Sequence, residues 1–287
     1  MPELPEVETV LRGLAARALG RRITGVEIRH AGVIVESADE FAIAVTGGLI
    51  RRLDRKGKAL AIELSPQNGG PLRFLLLRLG MTGQFVVASH ETPLQPHTHV
   101  VLSLDDGTEE LRYRDTRRFG RLRCCTADEL EAIFGRLGPD AQKIDEALFL
   151  AALKNRRGAI KSWLMNQQFL SGLGNIYADE ALFLARVHPL ARAGRLSPVA
   201  ARRLYRAVRK VLDRAVALQG TSFRDYIDIE GRPGNFLPRL RVYQRTGEPC
   251  RRCRRPIRRL IVGGRSTHYC PQCQPRPRRV AKMRGPR

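Results

Sequence analysis

The chain has 287 residues, 43% of them hydrophobic, and carries Lys+Arg 51 against Asp+Glu 28 for a net charge of +23. That length allows two compact domains and a small module, and no apolar run reaches the roughly 18 residues of a membrane span. So large an excess of base calls for a polyanionic partner, nucleic acid first, although a ribosome or an anionic membrane would suit the same total.

The first eight residues pack two prolines and three carboxylates ahead of an amphipathic run. Val7, Val10, Leu11, Leu14 and Ala18 recur at helical spacing, Pro5 suits a first turn, and Gly20 suits a stop. Loss of Met1, usual before proline, makes Pro2 a secondary amine beside the carboxyl of Glu3. An α-amino group titrates near 8, roughly two units below lysine. Pro2 is then able to attack a sugar C1′, and Glu3 to supply a proton. A plain helix start whose carboxylates complement its dipole fits the stretch, taken alone, at least as well.

From about Ile23 to Thr126 the text is strand-like, with runs at 23–35, 42–50, 59–64, 72–79, 85–88, 100–104, 110–113 and 121–125. Turn signals such as Gly69-Gly70-Pro71 and Asp105-Asp106-Gly107 separate them, which predicts antiparallel sheets in a sandwich or barrel. Lys58 opens one strand in Arg55-Lys56-Gly57-Lys58. Met81 stands alone among turn residues, and residues 112–120 interleave basic and aromatic side chains. A duplex with one nucleotide extruded leaves a hole that apolar or guanidinium side chains plug; a core role is the ordinary alternative. His97 and His99 read as a strand-start pair with a phosphate contact, and Cys124 and Cys125 as packing thiols.

Beyond the break at Gly138-Pro139-Asp140 the pattern turns helical, at 146–155, 159–166, 175–185 and 197–218, after a short helix at 127–137. Ser197 and Pro198 sign the start of the last. Its arginine-rich face is either solvated or turned to phosphate. Gly172-Leu173-Gly174-Asn175 links two helices and makes either an anion nest, with Asn175 capping and donating, or a plain connection. Residues 220–238 read as a loop. Cys250-x-x-Cys253 and Cys270-x-x-Cys273 have the spacing of a closed, structural four-thiolate zinc site. The hairpin between the pairs presents arginine, with Arg265 nearest its bend. Residues 239–287 hold 16 Lys/Arg against one acid, Glu248, so the C-terminal part faces phosphate.

Taken together, PELPEVET, RKGKAL, LRLGMTG, DTRRFG, GLGNIYADEAL and the four-cysteine finger resemble the formamidopyrimidine-DNA glycosylase family from Pro2 to about Cys273. The sister family, the endonuclease VIII-like enzymes, usually begins PEGPE, and here Leu4 stands in place of its glycine. The resemblance implies an α+β multidomain fold. Residues 1–130 would form an N-terminal catalytic β-sandwich with a leading helix, and 131–238 a helix-two-turn-helix DNA-binding domain with a lesion-recognition loop at 220–236. Residues 239–275 would form a zinc finger built on a β-hairpin, and 276–287 a basic, disordered tail. It further implies Pro2 as nucleophile, Glu3 as proton donor, Lys58 as an aid to β-elimination, and Arg265 as a phosphate ligand that assists δ-elimination. Met81, Arg117 and Phe119 would fill the void behind a flipped base, and His97, Arg117, Arg157 and Asn175 would contact DNA. One structural zinc would sit on Cys250, Cys253, Cys270 and Cys273. Thr116, Arg157, Arg224 and Asn235 depart from the residues usual in the family, which bears on fine substrate preference.

The function so implied is a bifunctional glycosylase and AP lyase of base excision repair, monomeric, cytoplasmic and nucleoid-associated. Its partner would be double-stranded DNA containing oxidised purines (8-oxoguanine, formamidopyrimidines) or abasic sites, with no redox cofactor and no membrane. Two rivals stand beside it: the same chemistry on oxidised pyrimidines, and a non-catalytic binder of damaged DNA. The second has no need of Pro2, Glu3 and Lys58 together. The basic tail is expected to raise non-specific affinity and its salt dependence.

Overall fold

A computed structural model describes residues 2–67, 69–223 and 225–276; the expectations for Met1, Arg224 and the chain from 277 onward lie outside the described residues. The chain divides into two units. One is Met1–Lys143, Gln167–Leu173 and Leu212–Arg239; the other is Ile144–Asn166, Gly174–Val211 and Leu240–Arg287.

In the first unit a leading helix, α1 (Leu4–Ala18), precedes eight strands. These are β1 (Ile23–Ile28), β2 (Leu49–Lys56), β3 (Ala59–Ser65), β4 (Arg73–Arg78), β5 (Gly83–Ser89), β6 (Thr98–Leu104), β7 (Glu109–Asp115) and β8 (Arg121–Cys125). They form two antiparallel four-stranded sheets, ordered β1-β6-β7-β5 and β2-β3-β4-β8. Period-two alternation sends Val100, Leu102, Leu104, Leu111, Tyr113 and Phe85 inward from one sheet, and Ile50, Leu60, Ile62, Leu64, Leu75 and Leu77 from the other. Their inner faces close on each other as a sandwich, and Val7, Val10, Leu14 and Ala18 of α1 join the same core. A further helix, α3 (Ala127–Gly135), lays Leu130, Ile133 and Phe134 against Ala59, Ala61, Leu76 and Cys125. Burial pushes the Cys124 thiol up to about 12 and that of Cys125 up to about 11, so both stay protonated packing groups.

Two strand expectations fail. The first run ends at Ile28, and a 3₁₀ turn follows at Ala31–Val33. The run at 42–50 is instead split between helix α2 (Ala38–Val45) and β2. A capping box explains the helix: Ser37 Oγ accepts the Glu40 N–H at 3.2 Å, and Glu40 Oε2 accepts the Ser37 N–H at 3.1 Å.

The second unit holds α4 (Glu146–Leu153), α5 (Ile160–Met165), α6 (Asn175–Leu184) and the first part of α7 (Pro198–Ala217). Ser197 caps α7 as expected, accepting the Ala200 N–H at 3.2 Å. The arginine face of that helix is mixed. Arg202, Arg203, Arg206, Lys210 and Arg214 are exposed, although Arg203 also donates to the Ala185 carbonyl, whereas half-buried Arg209 donates to the Ile144 carbonyl. The unit ends in a hairpin of β9 (Arg258–Val262) and β10 (Arg265–Tyr269), flanked by four cysteines that cluster with Phe183, Val242 and Ile257. Among the described residues no helix is long and apolar enough to cross a membrane.

Candidate functional site

The first unit gathers its candidate residues around the start of α1. Glu3 is the N-cap and is buried with Pro2; its backbone N–H donates to Glu6 Oε2 at 2.7 Å, closing a capping box. The other Glu6 oxygen takes the N–H of Thr221 at 2.7 Å, and the Tyr226 hydroxyl reaches the Glu6 carbonyl at 3.4 Å. One buried carboxylate thus fixes both the backbone of Glu3 and the root of the loop at 220–236. That loop is docked on the sandwich. Tyr226 and Ile229 belong to its core, and Ile229 accepts the Val87 N–H at 2.9 Å.

Lys58, half-buried, lies in the β2–β3 turn. The turn is carried to the helix start by a chain of backbone contacts. Gly57 abuts Ser171 and Gly172, and Gly172 accepts the Leu4 N–H at 3.1 Å. A methyl on Gly172, whose φ is +99°, would stand 2.6 Å from Leu4 Cδ1. Only glycine permits this approach. Arg55 and Asp140, neither of them picked out from the sequence, flank the turn with an ion pair of 2.6 Å.

A second focus of the first unit joins Met81, Arg117 and Phe119. A Cβ on Gly80 would lie 2.5 Å from Gly120 N and 2.6 Å from Phe119 C, so the Met81 turn and the Phe119 turn run backbone to backbone. The hub is Asp115, fully buried. It accepts from the Thr82 hydroxyl, the Arg117 N–H at 3.2 Å, the Tyr113 hydroxyl at 3.1 Å and the Gly120 N–H at 2.8 Å. Burial works against its charge, but these four donors outweigh burial and hold the carboxyl below its ordinary range. Above the hub, Phe119 is 55% exposed, and the Arg117 guanidinium covers its ring at 4.7 Å. The two histidines do not act as a pair. His97 is exposed at φ +65°, while His99 is buried and its Nε2 bonds the Asp115 carbonyl at 2.8 Å.

In the second unit, Gly174 rather than Asn175 is the N-cap of α6, and Asn175 holds the first helical position. Asn175 Oδ1 is buried and accepts no hydrogen bond among the described residues. Arg157 is exposed, and its carbonyl accepts the Trp163 indole N–H at 2.7 Å. Arg265 opens β10, just past the Gly263-Gly264 bend, and is exposed. Its strand is pinned from beneath. Lys161, with a fully buried side chain, sits 2.6 Å from Asp179 Oδ1 and donates to the Ser266 carbonyl at 2.9 Å and the Thr267 hydroxyl at 2.8 Å. Asp179 Oδ2 takes the His268 N–H at 2.8 Å. Next to it, fully buried Glu180 accepts the N–H groups of Arg241, Val242 and Tyr243 at about 3 Å. Two acids in succession on an otherwise apolar helix were the sequence signal for this anchor.

The sulfurs of Cys250, Cys253, Cys270 and Cys273 all lie within 4.8 Å of one another. Tetrahedral zinc at about 2.3 Å from each sulfur implies S···S separations of about 3.8 Å, and the observed 3.4 Å (Cys253–Cys270) and 3.9 Å (Cys250–Cys273) bracket that value. The donor set therefore fits zinc. Bound there, the ion fixes the finger and leaves no coordination position for a substrate.

The chain matches the formamidopyrimidine-DNA glycosylase N-terminal domain over residues 1–122, the H2TH domain of the same enzymes over 137–226, and the zinc finger found in FPG and IleRS over 247–276. It is 45% identical over 277 residues to the formamidopyrimidine-DNA glycosylase of Solibacter usitatus, covering 96% of this chain and 100% of that one. Among solved structures it resembles Lactococcus lactis Fpg in complex with DNA containing an abasic site, and an FPG mutant of the same organism in complex with a Fapy-dG containing DNA. Each has a TM-score of 0.88 at 33% identity, covering 96% of this chain and 100% of the other.

Proposed function

This chain belongs to the formamidopyrimidine-DNA glycosylase family, and we propose that it does the work of that family through the residues gathered at the start of α1. It is a DNA glycosylase that removes oxidised purines from duplex DNA and then acts as an AP lyase. With Met1 removed, the secondary amine of Pro2 attacks C1′ of the damaged nucleotide, and the N-glycosidic bond breaks as the base takes up a proton. Glu3 protonates the ring oxygen, the sugar opens, and an iminium links Pro2 to C1′. Loss of a C2′ proton expels the 3′ phosphate, with Lys58 assisting. A second elimination expels the 5′ phosphate, with Arg265 as its ligand, and a one-nucleotide gap remains.

Met81, Arg117 and Phe119 fill the space the flipped nucleotide vacates; His97, Arg117, Arg157 and Asn175 grip the strands. In this reading residues 1–130 carry the chemistry, while 131–238 and the finger at 239–275 hold the duplex. The enzyme acts as a monomer at the nucleoid, with one structural zinc. The observation that carries the reading is the backbone chain from the Lys58 turn through Gly57 and Gly172 to Leu4, two residues from Pro2.

Borohydride trapping on an 8-oxoguanine:cytosine duplex, read by intact mass, tests it. The expected product is a covalent adduct that maps to Pro2. No adduct from processed, zinc-loaded protein would overturn the lyase mechanism and favour a damaged-DNA binder. An adduct only with oxidised pyrimidines would keep the mechanism and change the lesion class.

A further inference from the structure

The chemistry above makes no use of a buried charge cluster in the first unit. Arg55 lies near the end of β2 with its side chain 2% exposed, between two carboxylates: Glu8 of α1 (Nε–Oε2 2.9 Å) and Asp140 (Nη1–Oδ2 2.6 Å). The same guanidinium donates to the Gly57 carbonyl at 2.9 Å, and the same Asp140 oxygen accepts the Gly57 N–H at 3.0 Å. Both polar groups of Gly57 are therefore taken by one ion pair. The next residue is Lys58.

On its other side Gly57 has no freedom either. A Cβ there would lie 2.8 Å from Ser171 Cβ and 3.0 Å from Gly172 N, and its φ is +59°. Arg55 thus clamps the turn from the side of α1 and Asp140, while the turn presses on the residues that hold Leu4. Burying such charges costs desolvation, and well-packed apolar side chains often stabilise a fold as well or better. Apolar side chains, however, cannot grip a peptide N–H and carbonyl in fixed directions, as a planar guanidinium–carboxylate pair does.

We infer that Arg55 is a positioning residue for strand scission: its fork sets the Gly57–Lys58 peptide so that Lys58 meets the sugar held on Pro2. The inference rests on the roles given above to Pro2 and Lys58. Its signature is an uncoupling of the two activities, because base release needs Pro2 and Glu3 whereas elimination needs Lys58 in place as well.

The test is Arg55→Lys in the full-length, zinc-loaded protein, a change that keeps the cation and removes the fork. Base release is read after alkali on an 8-oxoguanine:cytosine duplex. Scission is read without alkali on a preformed abasic duplex, over a range of enzyme concentrations. The maximal scission rate should fall about tenfold or more, on the scale of misplacing a reacting group by a fraction of an ångström to an ångström. The half-saturating concentration should stay within about twofold and base release should fall less, since a fixed Pro2 still meets most of the same orientation requirement.

Asp140→Asn keeps the side chain's shape and should give the same uncoupling; it serves if Arg55→Lys does not fold. Phe41→Leu, in the sandwich core, is the control for lost stability alone. If the clamp variants slow both steps in the same proportion as Phe41→Leu at equal loss of Tm, Arg55 is structural and the inference falls. Lys58→Ala separates the two layers of the argument. Should it leave scission coupled to base release, the role given to Lys58 is wrong; should it uncouple them while the clamp variants do not, only the inference about Arg55 is wrong.

Discussion

Gly172→Ala puts the geometry of the helix start under a direct load. The new methyl would lie 2.6 Å from Leu4 Cδ1 and 3.0 Å from Leu4 Cβ, where carbon atoms prefer 3.5–4.0 Å. About 1 Å of room must therefore be found. Leu4 is fully buried and cannot swing into solvent, so the helix start or the Gly172 turn has to move. Overpacking of this kind costs about 1–3 kcal/mol. Forcing a non-glycine residue to the φ of +99° adds about 1–2 kcal/mol. The expected loss is about 2–5 kcal/mol, the sum of these two costs.

Gly47→Ala, outside the loop at 220–236, is the matched control. Its φ is +81° and, among the described residues, nothing lies within 4 Å of the added carbon, so only the conformational cost of about 1–2 kcal/mol applies. Urea unfolding of both variants separates the two contributions. Single-turnover excision then reads the consequence for chemistry. A shift of Leu4 by a fraction of an ångström carries Pro2 with it, and excision should fall by about tenfold to a hundredfold in Gly172→Ala while Gly47→Ala keeps its rate. Equal stability and equal excision in the two variants would refute the claim that the Gly172–Leu4 contact sets the position of the N-terminal amine.

Phe119→Ala removes an exposed ring, so its stability should stay within about 0.5 kcal/mol of the parent; excision from duplex DNA should nevertheless drop by about fivefold to a hundredfold, the effect of losing one stacking contact of about 1–3 kcal/mol. Unchanged excision would remove Phe119 from the void-filling set. Asp115→Asn should cost about 1–3 kcal/mol at pH 7, since it disturbs a buried acceptor of several hydrogen bonds. The sign with pH follows from the folded carboxyl lying below its ordinary range. Its contribution is fully present above the unfolded value near 3.9 and is lost as pH falls through the lower folded value. The gap between parent and variant in urea should therefore narrow by pH 3, and a gap constant from pH 7 to pH 3 contradicts the assignment. Zinc content should be close to one ion per chain, as a single closed four-thiolate site requires. Chelation or Cys250→Ser should abolish duplex binding; retained affinity would take the finger out of the interface.

Much of this fold could be read locally because its signals are local. The apolar stripe of α1, the Ser197-Pro198 start of α7 and the paired Cys-x-x-Cys turns depend on residues within a few positions of one another. The failure at 42–50 was also local. Ile43, Val45 and Thr46 look like strand residues, but Ser37 and Glu40 cap each other's backbone and start a helix. There the capping box outweighed β propensity, which reports mainly on packing. Asn175 was misplaced by one residue for a similar reason, since Gly174 in extended conformation takes the cap position itself.

What sequence reading missed is of another kind. Arg55, Asp115, Asp140, Lys161 and Asp179 were each in view, several of them inside the very motifs that carried the family resemblance, yet none was singled out. A charged residue is usually solvated, and apart from the paired acids Asp179-Glu180 on an apolar helix nothing within a few positions says otherwise. Their partners lie far along the chain: Asp140 for Arg55, the Thr82 hydroxyl for Asp115, the Ser266 carbonyl for Lys161. In each case the buried charge grips backbone or hydroxyl groups in the turn or strand that presents a candidate site residue. The clamped elements are those of Lys58, of Arg117 with Phe119, and of Arg265. Buried charges are poor stabilisers and strong directional constraints, so their place beneath these elements is the physical counterpart of a reaction that needs several groups held to within an ångström.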